Sequence, residues 1–535
     1  MMNTPLTTNE ILEYGNRVYP YKKIITKNPD GSMHQYTYND LYHRCMKLAN
    51  ALVNKLGIKQ GDRVATFAWN HYQHIELYYG IPAMGGVCHP LNLRLSVEQI
   101  TFIINHAEDR VVFVDATLLP LFEKVAHNIN PVEKYVLLNA PRDLKTTLTN
   151  YIFYEDLIAD EKTTFTYPEI DENSAMGMCY TSGTTGDPKG ALYSHRSTYL
   201  HAQALTVPNA MGISSNDTVL LIVPQFHVMA WGFPFSCVIS GSNMVLPGPH
   251  LNPKALVDIV DKTKVTIANG VPTIWMGVYE ELKNNPRKLP FFKTLAVGGS
   301  AMPKSLIIGY MKELGIEVLH AWGMTETSPL GTGSRLQNKH KELSEEEQFG
   351  ILSKQGIEIA GIEVRIVDED DKVAPRDGKA IGEIQVRGNW VIREYYKIET
   401  DSFTDDGWFK TGDVGHINED GYMTITDRTK DLIKSGGEWI SSLDLENAIM
   451  AHPLVKEAAV IAIPDKKWSE RPLAVVVTRG KERPNIEELI EAMGHAFAKY
   501  QIPDQFIFID EVPKTSVGKF DKKRLRKMFA DGELK

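Results

Sequence analysis

Residues 180–190 combine phosphate-binding residue types in one short stretch, with the sequence YTSGTTGDPKG. Glycines carry no Cβ, so the three in this stretch let backbone N–H groups crowd against an anion. Four hydroxyl side chains add hydrogen-bond donors, and Lys189 adds a fixed positive charge. The stretch therefore predicts a loop that binds phosphate groups.

The order of residues distinguishes this loop from a Walker A phosphate loop. A Walker A loop has the pattern GxxxxGK[ST], whereas here Pro188 precedes Lys189 and Gly190 follows it. A P-loop ATPase is therefore excluded. By composition alone, a Gly/Ser/Thr surface turn is the alternative interpretation.

Further motifs follow the loop in the chain. They are WGMTET at 322–327, TGD at 411–413, DR at 427–428, KSGG at 434–437 and PKTSVGK at 513–519. Together with the loop, they resemble the signature of the adenylate-forming superfamily, which includes acyl-CoA synthetases, luciferases and the adenylation domains of peptide synthetases. The resemblance covers essentially the whole chain. It extends to bacterial fatty-acyl-CoA ligases through FHVMAWG at 226–232 and KSGGEWIS at 434–441.

The resemblance implies a two-step reaction that uses ATP, Mg²⁺ and CoA. A carboxylate attacks the α-phosphate of ATP to give acyl-AMP and pyrophosphate, and the thiol of CoA then takes the acyl group. Because the first step joins two anions, catalysis depends on positioning and charge neutralisation. The expected acid is a medium- or long-chain fatty acid, and a short substituted acid such as methylthiopropionate is the alternative.

By the same resemblance, the loop would hold the β- and γ-phosphates. Glu326 would bind Mg²⁺ with the Thr181 hydroxyl as second ligand, since this cation prefers oxygen ligands. Taken alone, Glu326 would be a solvated loop acid. The residues expected at the phosphates are Thr181, Ser182, Gly183, Thr184, Thr185, Gly186 and Lys189.

The resemblance also implies an adenosine site. Trp322 stands where the family usually has Tyr, and its indole face could stack on adenine, although a core Trp is the alternative. Asp413 would hold both ribose hydroxyls, which needs two acceptors on one side chain. The other residues expected to contact AMP are Gly298, Gly299, Ser300, Ala321, Gly323, Thr325, Arg428, Lys430, Lys434 and Trp439.

The matching lysine of the family, Lys519 here, reaches the carboxylate and the α-phosphate during adenylation. By composition alone Lys519 belongs to a basic helix, and we interpret the neighbouring basic residues as a solvated face of it: Lys522, Lys523, Arg524, Arg526 and Lys527. The resemblance makes Asp427 a hinge about which a C-terminal domain rotates between an adenylation pose and a thiol-transfer pose. For Trp439, packing between domains is the alternative role.

The acyl and CoA pocket is expected at His227, Val228, Trp231, Gly299, Gly436 and Gly437. Related ligases use a Trp at position 231 to gate the acyl tunnel, whereas His227 could equally be a satisfied wall residue. Residues 218–253 contain no Lys, Arg, Asp or Glu, which disfavours a second carboxylate on the substrate and favours an apolar tail. Prolines, glycines and polar residues interrupt this stretch, so we interpret it as buried sheet and pocket wall, not as a membrane span.

The elements that must position these residues alternate between strands and helices. Asp40 could cap a helix that runs to Leu56, and residues 303–314 form a helix between two apolar strands. Such alternation predicts βαβ units and mostly parallel sheets. After about residue 350, alternating strands separated by Asp-Gly turns predict a small antiparallel barrel or sheet.

The predicted fold class is α/β, with doubly wound, mostly parallel sheets. Residues 1–427 would form an N-terminal adenylation domain, including the β-barrel-like part at about 350–427. Residues 428–535 would form a small, mobile α+β lid.

Composition excludes several other classes. The chain has 535 residues and a net charge of −9, which argues against nucleic acid as its main partner. Its four cysteines are scattered, as in reduced core residues of a cytoplasmic protein. No secretory signal or transmembrane segment is visible, and the resemblance allows a homodimer.

Two alternatives remain for the function. An adenylation domain that serves a carrier protein is disfavoured because the chain stops 16 residues after Lys519 with no appended carrier domain. A non-catalytic nucleotide-binding relative is the alternative of another class. It would be expected to lack Lys519, Glu326 or Asp413, and all three are present.

Overall fold

The computed structural model describes residues 2–181, 188–368, 370–429, 431–435, 438–494, 497–515 and 519–534. Its strands are β1 Lys23–Lys27, β2 Met33–Thr37, β3 Arg63–Phe67, β4 Val87–Pro90, β5 Val111–Asp115, β6 Lys134–Leu138, β7 Tyr151–Phe153, β8 Ala175–Tyr180, β9 Gly190–Ser194, β10 Thr218–Leu221, β11 Asn243–Leu246, β12 Ile267–Gly270, β13 Thr294–Val297, β14 Glu317–Gly323, β15 Leu330–Ser334, β16 Ile357–Glu358, β17 Ile362–Val367, β18 Gly382–Gly388, β19 Phe409–Ile417, β20 Met423–Arg428, β21 Ile433–Ser435, β22 Glu438–Ile440, β23 Val455–Asp465, β24 Ser469–Thr478 and β25 Gln505–Phe508.

Helices connect most of these strands. They are α1 Thr8–Val18, α2 Tyr38–Asn54, α3 Tyr72–Ala83, α4 Val97–Ala107, α5 Leu119–Ala126, α6 Tyr154–Ile158, α7 His195–Thr206, α8 Phe233–Ser240, α9 Pro253–Thr263, α10 Pro272–Asn284, α11 Lys304–Ile308, α12 Glu345–Leu352, α13 Ser442–Met450, α14 Ile486–Gly494 and α15 Lys522–Ala530. Helix α11 continues into a π-helical turn at Gly309–Glu313, so the predicted helix at 303–314 is confirmed.

Two large, mostly parallel sheets form the body of the molecule. One has nine strands in the order β16-β15-β14-β13-β12-β10-β11-β1-β2, and the other has seven in the order β7-β6-β5-β3-β4-β8-β9. Only strands near the sheet edges pair antiparallel: β1 with β2, β14 with β15, β15 with β16, and β8 with β9. The predicted α/β class with mostly parallel sheets is confirmed.

The start of helix α2 differs from the sequence expectation. Its N-cap is Thr37, whose hydroxyl accepts a hydrogen bond from the backbone N–H of Asp40, while the Asp40 carboxylate accepts one from the backbone N–H of Thr37. Asp40 therefore occupies the third helical position of a capping box and is not the cap itself. The helix ends at Asn54, two residues before the predicted end at Leu56.

The uncharged stretch at 218–253 contributes β10, α8 and β11 to the interior. The buried strand β10 lies in the middle of the nine-stranded sheet, and α8 is buried along most of its length. The interpretation of this stretch as buried sheet and wall is confirmed. Among the residues described, no helix combines the length and the apolar character needed to cross a membrane.

Two smaller sheets complete the fold. Strands β17–β20 form an antiparallel sheet in sequential order, as the Asp-Gly turns predicted, and β21–β25 form a five-stranded sheet packed with α13–α15. The change from one sheet to the next falls between Arg428 and Ile433, beside the predicted boundary at Asp427. The four cysteines are buried free thiols, in agreement with their interpretation as core residues.

The buried side chain of Asn70 joins the two large sheets. It follows β3 of the seven-stranded sheet, and its amide nitrogen donates to the carbonyl oxygens of Leu221, at 2.9 Å, and Val223, at 2.8 Å. Its Oδ1 accepts from the backbone N–H of Gln225 at 2.8 Å. Asn70 thereby holds the backbone that leads from β10 towards His227.

We expect Asn70→Ala to lower the free energy of unfolding by about 3 kcal/mol, because buried backbone groups lose their partners without access to water. The measurement is urea denaturation followed by tryptophan fluorescence. Asn50→Ala is the matched control. Asn50 also makes three side-chain hydrogen bonds to carbonyl oxygens, but it is only half-buried, so water can replace it and a loss of less than about 1 kcal/mol is expected. Equal losses in the two variants would contradict the linking role of Asn70.

Candidate active site

A cavity of about 860 Å³ opens where chain segments leave the ends of β8 and β13. In open α/β sheets, ligands commonly bind at the carboxyl ends of the parallel strands, as here. The cavity brings together most of the residues singled out in the sequence. Those that line it are Thr181, Lys189, His227, Val228, Trp231, Gly298, Gly299, Ser300, Ala321, Trp322, Gly323, Thr325, Glu326, Asp413, Asp427, Arg428 and Lys519.

The remaining expected site residues fall into two groups. Lys434, on β21, is absent from the described cavity lining, and its backbone N–H donates to the carboxylate of Glu470 at 2.8 Å. The residues that lie outside the described part of the chain are Ser182, Gly183, Thr184, Thr185, Gly186, Lys430, Gly436, Gly437 and the side chain of Trp439.

The two ends of the phosphate loop are joined to each other. The backbone N–H of Thr181 donates to the carbonyl oxygen of Lys189 at 2.9 Å, and the backbone N–H of Lys189 donates to the Thr181 hydroxyl oxygen at 3.2 Å. The ammonium of Lys189 lies 5.1 Å from the ring centroid of Tyr395. The lysine charge and the Thr181 hydroxyl therefore face the same cavity from fixed positions.

Glu326 is a buried carboxylate held from one side by Tyr395. The Tyr395 hydroxyl donates to its Oε1 at 2.7 Å, and Glu326 is 6% exposed. Burial raises the pKa of Glu326, whereas the Tyr395 hydrogen bond and the charges of Arg428 and Lys519 lower it. The backbone beside it is fixed by the Tyr193 hydroxyl, which donates to the carbonyl oxygen of Thr325 at 2.9 Å.

These residues fit a magnesium ion that bridges phosphates. Within the described residues Glu326 forms no salt bridge, and it shares the cavity with the hydroxyl of Thr181. A carboxylate and a hydroxyl oxygen are suitable ligands for Mg²⁺, which takes its remaining ligands from phosphate oxygens and water. Bound there, the ion would neutralise phosphate charge beside Lys189.

Asp413 is fixed by two donors from different strands. The indole Nε1 of Trp322 donates to its Oδ2 at 2.9 Å, and Nε of Arg428 lies 2.8 Å from its Oδ1. The negative charges of Asp413 and Glu326 raise the pKa of Arg428 and so keep its guanidinium charged. The arrangement is a carboxylate of fixed orientation beside an aromatic ring.

Lys519 enters the cavity from the C-terminal sheet region. A Cβ built on Gly299 would lie 3.7 Å from its Cε and 3.9 Å from Cζ2 of Trp231. The backbone N–H of Thr515 donates to the carbonyl oxygen of Lys519 at 2.7 Å, which closes the turn that carries the lysine. Lys519, from the C-terminal part of the chain, and Trp231 thus both lie close to Gly299, which follows β13.

Gly298 brings the chain close to two of its neighbours. A Cβ there would lie 3.0 Å from the carbonyl oxygen of Ala321 and 3.4 Å from Cη2 of Trp231. A side chain at this position would press against both neighbours, which favours glycine here.

The segment that carries Trp231 has an unusual backbone. Val228, Met229, Ala230 and Trp231 all have φ between 44° and 55°, in the left-handed region that costs L-residues about 1–2 kcal/mol each. Gly232 completes the turn, and a Cβ there would lie 2.4 Å from Nδ1 of the buried His201. Strain of this kind persists only where the surrounding packing enforces it, and it is common at functional sites.

Trp231 and the apolar side chains named below belong to one hydrophobic cluster, and we call the part of the cavity lining that they form the apolar end. Trp231 itself is 9% exposed. A Cβ on Gly333 would be in ordinary contact with Cδ1 of Leu319, at 3.5 Å, and Cδ1 of Ile359, at 3.7 Å. The apolar residues at this end are Leu205, Ala210, Met211, Phe233, Leu319, Leu330 and Ile359.

His227 is neutral in this environment. Burial and the positive charges of Lys519 and Arg94 lower the pKa of its imidazole to about 3. The side chain therefore contributes hydrogen-bonding atoms to the wall without adding positive charge at physiological pH.

The structure adds cavity residues that the sequence analysis did not single out. Tyr395 holds Glu326, and Lys522 forms a buried ion pair with Glu446 at 2.8 Å behind the Lys519 turn. Tyr395 belongs to no motif of the resemblance, so only its contacts reveal it. Lys522 had been assigned to a solvated basic helix face. That assignment is wrong for this residue, because α15 turns it inward towards Glu446, a carboxylate 4% exposed.

Comparisons with known proteins agree with this geometry. Residues 12–396 match the model of the AMP-binding enzyme family, and residues 444–519 match that of the AMP-binding enzyme C-terminal domain. The chain is 44% identical to a 3-methylmercaptopropionyl-CoA ligase of Ruegeria lacuscaerulensis, over 99% of this chain and 98% of the relative. It is also 44% identical to a long-chain-fatty-acid–CoA ligase of Thermus thermophilus, over 99% and 96%.

Among solved structures, the fold is similar to that of ATP-bound MatB from Rhodopseudomonas palustris. The TM-score is 0.83 at 26% identity, with 98% of this chain and 99% of MatB covered. The chain belongs to the AMP-binding enzyme family, and it is an acyl-CoA ligase that uses ATP, Mg²⁺ and CoA and acts through an acyl-AMP.

Proposed function

We propose that this ligase activates a medium- or long-chain fatty acid. The observation that carries this proposal is the apolar end of the cavity, whose side chains cluster with Trp231 and could take a hydrocarbon tail. Similarity to long- and medium-chain-fatty-acid–CoA ligases, at 44% and 41% identity, supports it.

A short substituted acid is the second candidate. The 44% identity to a 3-methylmercaptopropionyl-CoA ligase favours it, because that substrate is also an apolar acid without a second charge. The two candidates differ in how much of the apolar end the acyl group would fill.

In the proposed adenylation step, the residues of this chain act mainly through charge. Lys519 and Arg428 would face the acyl carboxylate and the α-phosphate, and Lys189 would hold the outer phosphates. A carboxylate oxygen forms a bond to the α-phosphorus while the bond to pyrophosphate breaks. Because these cations line a cavity and not an open surface, water would screen them less and their effect on the transition state would be stronger than in solution.

We further propose that residues 1–427 and 428–535 act as two units joined at Asp427. Oδ2 of Asp427 accepts a hydrogen bond from the backbone N–H of Ser442 at 2.8 Å, which ties the proposed hinge to the start of α13. Lys519 fills the space beside Gly299 that an incoming thiol would need. Thioester formation would therefore require the C-terminal unit to rotate, so that the CoA sulfur can bond to the acyl carbon as AMP leaves.

The experiment that tests the proposal combines the protein with ATP, Mg²⁺ and a panel of acids. The panel contains saturated acids from acetate to stearate and 3-methylthiopropionate, with and without CoA, and pyrophosphate and thioester are measured. A maximum of kcat/KM at medium or long chain length is expected. A maximum at 3-methylthiopropionate would favour the second candidate, and absence of both products with every acid would indicate a non-catalytic relative.

We expect Lys519→Ala to reduce acid-dependent pyrophosphate release by at least about 100-fold, because one cation facing the developing charge is lost. Thioester formation from supplied acyl-AMP and CoA should remain close to the wild-type rate. Lys527→Ala, on the exposed face of α15, is the control and should change neither half-reaction. Comparable losses in both half-reactions would refute the proposed role of Lys519.

We expect Tyr395→Phe to raise the KM for MgATP by about tenfold, since the Glu326 carboxylate loses the hydroxyl that orients it. The measurement is initial-rate kinetics at varied MgATP and saturating acid. Tyr193→Phe is the matched control, because its hydroxyl donates to the nearby backbone of Thr325 and not to the carboxylate. If both variants raised the KM equally, general loosening of the motif would be the cause instead.

We expect two substitutions to change chain-length preference in different ways. Trp231→Ala should alter the acid profile more than the KM for ATP. Gly333→Val should fill the apolar end and lower kcat/KM for acids longer than the optimum by about tenfold, through steric overlap. An unchanged acid profile in both variants, measured on the same panel, would show that the acyl group lies elsewhere.

A further inference from the structure

The hydrogen bond between Trp322 and Asp413 connects two different sheets. Trp322 lies on β14 of the nine-stranded sheet, and Asp413 lies on β19 of the antiparallel sheet. Arg428, the other donor to Asp413, lies on β20 and directly faces Asp413 in the register of that sheet. The indole N–H is therefore the donor that orients Asp413 relative to the large sheet.

The strand next to β14 leaves room for the indole. Gly331 lies on β15, and a Cβ built on it would be 2.6 Å from Cζ3 and 2.7 Å from Cε3 of Trp322. Any side chain at 331 would force the ring to move. The position of the Trp322 indole therefore depends on glycine at position 331.

The two donors to Asp413 contact different oxygens of its carboxylate. A carboxylate has two oxygens with about two acceptor sites each. Among the described residues, Trp322 occupies one site on Oδ2 and Arg428 one on Oδ1, which leaves each oxygen one site for a further donor. A ribose has two hydroxyl donors, which equals the number of these remaining acceptor sites.

We propose that Trp322 is a positioning residue that acts through Asp413. Its indole N–H determines how much the ribose hydroxyls contribute to the affinity for the nucleotide. This inference rests on the proposed assignment of Asp413 to the ribose. It assigns Trp322 a second role besides offering a ring face to adenine. A phenylalanine keeps a ring face but has no N–H, and a tyrosine carries its polar group at the far end of the ring, so neither supplies this donor.

The two roles of Trp322 can be separated with a nucleotide that lacks the hydroxyls. Stacking on adenine affects AMP and 2′,3′-dideoxy-AMP alike, because both contain the same base. Orientation of Asp413 affects only AMP. The informative quantity is therefore the ratio of the Kd for 2′,3′-dideoxy-AMP to the Kd for AMP.

The test is isothermal titration calorimetry of the full chain with both nucleotides. We expect Trp322→Phe to lower this ratio by about tenfold, the effect of a hydrogen bond to a charged group. Gly331→Ala should lower it in the same direction, because the added methyl group displaces the indole without changing its chemistry. Circular dichroism identifies a variant that fails to fold, and the other variant then decides.

Trp390→Phe is the matched control. The Trp390 indole is 2% exposed and donates to the carbonyl oxygen of Leu330 at 2.7 Å, and the residue does not line the described cavity. Its variant loses an indole hydrogen bond of the same kind and should keep the wild-type ratio. A ratio that stays at the wild-type value in Trp322→Phe and in Gly331→Ala would overturn the inference.

Asp413→Ala separates this inference from the site assignment beneath it. If Asp413→Ala leaves AMP binding unchanged, the ribose assignment is wrong and the inference falls with it. If Asp413→Ala lowers the ratio but Trp322→Phe does not, only the role of Trp322 is wrong. If Trp322 acts through Asp413, Trp322→Phe should lower the ratio no further in the Asp413→Ala background.

Discussion

The reaction of this family joins two anions, and that constraint determines what the cavity must contain. A carboxylate and a triphosphate repel each other, and this repulsion is strong where water is excluded. The cavity of this ligase accordingly holds Lys189, Arg428 and Lys519 on its lining, together with Glu326, which suits a magnesium ion. Tyr395 holds Glu326 and Asp413 pairs with Arg428, so these two groups need little reorganisation when negative charge develops.

The three cations come from distant parts of the chain, so one of them could move without the others. Lys189 lies at one end of the phosphate loop, Arg428 ends β20, and Lys519 precedes α15. If the chain moves at Asp427, Lys519 leaves the cavity while Lys189 stays. A single movement would then remove the charge needed for adenylation and free space for the thiol. The position of the Lys519 side chain would then distinguish the adenylation step from the thiol-transfer step.

Much of this could be predicted from the sequence, because the information is local. Strand–helix alternation gave the parallel sheets, Asp-Gly turns gave the antiparallel strands, and ordered motifs gave the residues that line the cavity. The helix cap was misassigned to Asp40 because Thr37 and Asp40 cap reciprocally, and the spacing alone does not say which residue is outside the helix. Lys522 was misassigned because a basic helix looks solvated until the acid facing it, Glu446, is known.

The contacts that local patterns could not reveal are those between residues far apart in the chain. Tyr395 reaches Glu326 across 69 positions, Trp322 reaches Asp413 across 91, and Asn70 reaches Gln225 across 155. In each case a buried polar group satisfies another, as the cost of leaving it unpaired requires. The motifs of the family therefore include many of the polar groups on the described cavity lining, whereas contacts with residues far away in the chain determine how rigidly those groups are held. Differences between ligases that share these motifs are accordingly to be sought in such partners and in the apolar end of the cavity.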